Sequence, residues 1–132
     1  MKRTITACAI AIGILLALGL IGLGLWFTFF PNQTIVRNCS GKEVHDLILV
    51  IRELHGDWNV ERRLDTLEPG ARLIVRHSKN DTRAELRYVF EGTLREHEEG
   101  YIDLWRGEGW LFDIQADGTV HSHSGYDYHA SP

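Results

Sequence analysis

Between Ile5 and Phe30 the chain has no charged residue, and before Glu43 it has no acidic one. Such a gap does not belong to an ordinary soluble surface. A bilayer core asks for about 20 apolar helical residues, so this stretch is long enough to span with some tilt. Lys2 and Arg3 precede it. The positive-inside bias therefore predicts residues 1–4 in the cytoplasm, a transmembrane signal-anchor helix over residues 5–30, and everything later outside the cytoplasm. Trp26, Phe27, Phe29 and Phe30 fall where an aromatic belt would sit, and Pro31 ends the helix.

A cleaved signal peptide is the competing reading, because Ala17-Leu18-Gly19 and Gly22-Leu23-Gly24 both offer small residues at a peptidase spacing. Cleavage at either would leave an exposed apolar segment ending in Trp26-Phe27-Thr28-Phe29-Phe30. An uncleaved single-pass anchor in the inner or plasma membrane is the better reading. Ala9, Gly13 and Ala17 share one helix face, a spacing that permits a homodimer through the helix.

Other scarcities narrow the function. The 132 residues hold two cysteines, one methionine and three prolines. Cys8 lies in the apolar segment, which leaves Cys39 alone outside it, without a partner for an intrachain disulfide. Cys39 therefore reads as a buried, inert thiol. The only Met is the initiator, which excludes a Met-rich copper site. All 18 acidic residues and 12 of the 14 basic ones follow residue 30, so that part carries a formal charge of −6. No basic block occurs in it. Nucleic acid and anionic headgroups are unsuited partners, since both require clustered Lys and Arg.

The chain is long enough for one small domain and no more. It contains no G-x-S-x-G elbow, phosphate loop, dinucleotide fingerprint, C-x-x-C or H-E-x-x-H. Nothing points to an enzyme.

What is present reads as strands. After a linker at residues 31–33, which reaches at most ~11 Å, a domain is predicted over residues 34–124, with a tail at 125–132. The short linker holds the domain at the outer membrane surface. Thr34 to Asn38 is β-branched, and Val44 to Leu54 is apolar enough for a central strand. Trp58 to Leu64 alternates; Glu68-Pro69-Gly70 turns the chain; Leu73 and Val75 follow in another strand. Arg83 to Glu91 is the clearest strand, with Ala84, Leu86, Tyr88 and Phe90 on one face and charges on the other. Glu96 to Gly100 reads as an acidic solvated loop, then Tyr101 to Trp105 as a strand, and Trp110 to Ile114 as another. About eight strands at intervals of roughly ten residues predict an all-β extracytoplasmic domain, an antiparallel β-sandwich or small barrel.

Three Asn-x-Ser/Thr sequons, at Asn32, Asn38 and Asn80, would be glycan sites in a eukaryotic secretory pathway. The style of the chain is that of a bacterial envelope protein, where they carry no such meaning. Trp58, Trp105, Trp110 and Tyr101 are assigned to the core.

One constellation is suggestive: His121-Ser122-His123-Ser124-Gly125-Tyr126-Asp127-Tyr128-His129. A hairpin turning through Ala116-Asp117-Gly118 pairs Ile114 with Val120, which puts His121 opposite Asp113 and His123 opposite Leu111. Asp113, His121 and His123, with His129, could then ligate Zn²⁺ or Cu²⁺. The plainer reading of His121 and Asp113 is a surface cross-strand pair. His45, His55, His77 and His97 are expected in loops or on wet faces. Tyr126 and Tyr128 are candidate exposed anchors, and Glu96, Glu98 and Glu99 a candidate acidic docking patch. The sequence therefore predicts a membrane-anchored, non-catalytic module that binds, assembles or modulates another envelope component. A metal-binding accessory protein is the alternative.

Overall fold

In a computed structural model the chain forms one helix and eight strands, and the structure describes residues 2–29, 31–104 and 107–125. Two compact units result, residues 1–30 and 31–132. The first is α1 (Lys2–Phe29), 28 residues long. Its side chains are described from Ile10 to Leu25, and all of these are exposed. Among the described residues no helix is long and apolar enough to cross a membrane. The helical conformation of the expected 5–30 segment is thus found, and its transmembrane role is not supported by the described residues.

The second unit is a mostly β structure of two sheets. The strands are β1 (Asn32–Asn38), β2 (Val44–Glu53), β3 (Asn59–Leu67), β4 (Arg72–His77), β5 (Asp81–Phe90), β6 (Thr93–Asp103), β7 (Gly109–Ile114) and β8 (Val120–Gly125). One sheet has the order β4-β1-β7-β8 and the other β3-β2-β5-β6. This is a sandwich of the expected kind, with one correction. β1 and β7 run parallel, Ile35 beside Leu111 and Arg37 beside Asp113. A wholly antiparallel arrangement was expected because neighbours in sequence pair that way. β1 and β7 lie far apart in the chain, so nothing local sets their relative direction.

The core comes from alternation. Val44, Leu47, Leu49 and Ile51 of β2, Ala84, Leu86, Tyr88 and Phe90 of β5, and Val36, Phe112 and Ile114 of the facing sheet form one buried cluster. Each large apolar side chain withdrawn from water stabilises the fold by about 1.5–3 kcal/mol. Asp46, at φ 49°, interrupts the β2–β5 register between His45 and Ile48, a bulge that returns Leu47 to the core face.

The expected acidic loop at Glu96–Gly100 is instead part of β6, at 11 residues the longest strand. Its cause is the turn before it. Glu91 and Gly92 both take positive φ, 50° and 75°, the geometry of a tight two-residue hairpin. The chain then has to run back along β5, pairing Thr93 with Phe90 and Glu99 with Ala84. Glutamate at the first turn position is not the usual Asn or Asp signal, so the hairpin was not evident.

The β7–β8 hairpin forms as expected, with Ile114 paired to Val120, Asp113 to His121 and Leu111 to His123. Gly118 carries φ 75° beneath the Phe90 ring, and its carbonyl accepts the buried Tyr88 hydroxyl at 2.7 Å. That bond pins the hairpin to the opposite sheet.

Candidate interaction surface

The sequence-predicted cluster is assembled only in part. Asp113 and His123 share a face of the β4-β1-β7-β8 sheet, with His123 Nε2 3.9 Å from Asp113 Oδ2 and the His121 and His123 rings 5.2 Å apart. The parallel neighbour β1 adds Arg37, whose Nε and Nη2 donate to the two oxygens of Asp113 at 2.6 and 2.7 Å. This fork binds both carboxylate oxygens and neutralises their charge. It also raises the Arg37 pKa, through the hydrogen bond to Asp113 first, against an opposing contribution from burial. Among the described residues no three His, Cys, Asp or Glu side chains are grouped to hold a metal ion. His129, Tyr126 and Tyr128 lie outside the described residues.

Cys39 is exposed, not buried as expected, because it follows the last residue of β1. Partial desolvation raises its thiol pKa, Asp113 adds to the rise, and Arg37 opposes it. The thiol form is favoured, which makes this a weak nucleophile.

Two histidines depart from the expected wet positions. His77 is buried, its Nε2 3.1 Å from Thr34 Oγ1 and its ring 5.6 Å from Trp58. Desolvation lowers its pKa, so it is held neutral. His97 points inward from β6 and meets Phe112 edge-on at 5.7 Å. Beside it, Ser122 Oγ on β8 donates to Glu99 Oε2 at 2.6 Å, which ties the two sheets together along that edge. His45 and His55 are exposed.

The sequons resolve into structure. Asn32 is buried, donating to Lys79 O and Asn80 Oδ1 and accepting from the Gly107 amide. Asn38 is buried too, donating to Lys42 O at 2.7 Å and Leu67 O at 2.8 Å while accepting from Ser40. Neither amide could carry a glycan in this fold. Asn80 alone of the three is exposed.

The residues of the expected acidic patch lie on an edge strand, Glu96 and Glu98 on one face and Glu99 on the other. β6 ends its sheet and, among the described residues, pairs with β5 alone. Glu99 is engaged by Ser122, Glu96 Oε1 lies 3.3 Å from Arg87 Nε, and Glu98 is exposed. The residues that sequence reasoning missed are Leu94 and Tyr101, 63% and 54% exposed. Among the described residues of the β unit they are the only large apolar side chains so exposed, and both are on β6. Tyr101 was assigned to the core; its hydroxyl instead reaches Asp81 Oδ1 at 3.3 Å, and Asp103 and Asp81 together raise its pKa. Only the pairing of β6 with β5 reveals this, since strand alternation alone does not say which strand is an edge.

The groove lined by Glu85, Leu86, Arg87, Glu96, His97 and Glu98 has a volume of about 190 Å³. A second groove, lined by Glu53, His55, Ser78, Lys79, Asn80 and Asp81, has a volume of about 330 Å³. Pockets for small molecules occupy roughly 300–1,000 Å³ and are mostly apolar, whereas both grooves are lined mainly by polar side chains.

No family model matches the chain, and no curated protein matches it. Among solved structures, a putative cell adhesion protein from Bacteroides ovatus is similar, with a TM-score of 0.49 and 7% identity. The likeness covers 73% of this chain and 43% of that one, so the chain matches less than half of that protein's length.

Proposed function

We propose that the protein is a single-pass, membrane-anchored, non-catalytic module whose β-sandwich lies outside the cytoplasm and binds another envelope protein. One observation carries the reading. Exposed large apolar side chains of the described residues occur in two places, along α1 and on β6. The exposed run along α1 is a contiguous apolar surface of the kind that meets a partner phase, and we read Leu94 and Tyr101, together on one open edge, in the same sense. Along α1 we read that phase as lipid, from the run of residues in the sequence, Ile5 to Phe30, that carries no charge. Lys2 and Arg3 at one end favour a cytoplasmic N-terminus. On β6 the phase is protein, because Leu94 and Tyr101 flank carboxylates that an acyl chain would not accept.

The test is photo-crosslinking of the intact protein in its own membrane, with the reactive group at Leu94 or Tyr101, after alkaline extraction has established integral insertion. One dominant partner protein captured from these positions, and not from Asn59 on the opposite edge strand, is the expected result. Release from the membrane by alkali, or equal labelling from both edges, would end this reading.

A further inference from the structure

We infer that β6 receives an extended strand of its partner, with basic side chains opposite Glu96 and Glu98 and apolar ones opposite Leu94 and Tyr101. The inference rests on the binding reading above and names the partner's chemistry.

Three observations point to strand addition. First, β6 is a long edge whose outward backbone amides and carbonyls have no partner strand among the described residues. Such a row is a template for one more strand. Second, the side chains are ordered. Leu94, Glu96 and Glu98 share a face by the two-residue period, pairing with Val89, Arg87 and Glu85. The register shift between Thr82 and Ala84 then carries Tyr101 toward Asp81. Along one face the order is apolar, acidic, acidic, apolar. Third, β6 carries four carboxylates, at Glu96, Glu98, Glu99 and Asp103, against the single guanidinium of Arg95.

That charge selects the occupant. Antiparallel pairing with a second copy of β6 centred on His97 would set Glu96 opposite Glu98, and like charges facing one another across a ladder repel. A strand carrying Lys or Arg at alternate positions turns the same positions into cross-strand ion pairs. The other edges differ. β3 mixes Glu61, Arg62, Arg63 and Asp65, β4 exposes Arg72 and Arg76, and β8 offers His121-Ser122-His123-Ser124; none has an exposed large apolar side chain among the described residues.

The probe is a seven-residue peptide, Val-Thr-Lys-Thr-Lys-Thr-Val, added to full-length protein in detergent micelles with ¹³C-labelled leucine methyls. The expected result is a saturable shift of the Leu94 methyls, lost with a glutamate-for-lysine peptide and in the E96K/E98K variant. Two N-methylated peptides separate strand addition from charge attraction, one blocked at the lysine amides and one at the threonine amides. Only one set of amides faces β6, so one peptide should bind about tenfold more weakly or worse while the other is unaffected.

Equal binding by both blocked peptides, or no saturable shift at several millimolar peptide, would overturn the inference. So would the same shift on raising protein concentration alone, which would make the occupant a second copy. Retention of the native dispersion of buried Leu methyls in E96K/E98K keeps the comparison valid. A blank with the peptide beside one dominant crosslinked partner removes strand addition and leaves the binding reading standing.

Discussion

Strands β1 and β6 break the usual rule of burial in opposite directions. β1 buries polar side chains: Asn32, Thr34 and Asn38 are all withdrawn from water. β6 exposes apolar ones, Leu94 and Tyr101. The buried polar groups of β1 have their partners within the fold. Asn38 makes bonds to the 39–43 turn and to the end of β3, and Asn32 clamps the 79–80 turn and the segment entering β7. On β6 the apolar surfaces of Leu94 and Tyr101 stay exposed, although the Tyr101 hydroxyl reaches Asp81. A buried amide with every bond satisfied belongs to the structure, while an exposed apolar side chain on an open edge is left available to something outside it.

Four changes would sharpen or break that contrast. The largest effect is expected at Asn38. An Asn38→Asp change replaces a two-donor amide with an acceptor facing the carbonyls of Lys42 and Leu67. Loss of about 3 kcal/mol is expected by urea denaturation, and a loss below about 1 kcal/mol would show that the buried amide does not hold the turn.

Gly118→Ala comes next. A Cβ there would stand 2.4 Å from the Phe90 ring, at φ 75°. About 2 kcal/mol should be lost, in the same assay, with the β7–β8 hairpin losing amide protection first.

His77 gives a pH effect. Its folded pKa lies below the ordinary 6.5 because burial opposes the charge. The unfolded chain therefore takes up the proton first, so stability is full above pH 6.5 and falls as the pH drops below it, levelling off beneath the folded pKa. Comparing denaturation midpoints at neutral and mildly acidic pH should show the decline, and His77→Gln should flatten it. An unchanged slope in that variant would assign the acid sensitivity to another group.

The smallest stability effect is expected where the functional one is largest. Leu94→Ser with Tyr101→Ser should move stability by less than about 0.5 kcal/mol, since both side chains are already in water. Crosslinking to the proposed partner, read from Glu98, should nevertheless fall at least tenfold if apolar contact anchors the edge. A large loss of stability instead would make the two residues part of the fold and erase the contrast with β1.

Local pattern was enough for much of this protein. The uncharged run from Ile5, the alternation of Arg83–Phe90 and the turn signal at Asp117-Gly118 led to the helix, to β5 and to the β7–β8 register. These depend on hydrophobic period and backbone preference, which act over a few residues. What the local pattern could not contain was adjacency between distant strands. Arg37 reaches Asp113 only because β1 lies parallel beside β7, and the histidine face loses its free carboxylate for that reason. The Glu91-Gly92 hairpin turns an acidic run into β6, and the sheet order then makes β6 an edge. Periodicity determines which face of a strand is apolar; only the closed sandwich decides which strands are covered, because edge or centre is a property of the neighbours and not of the strand.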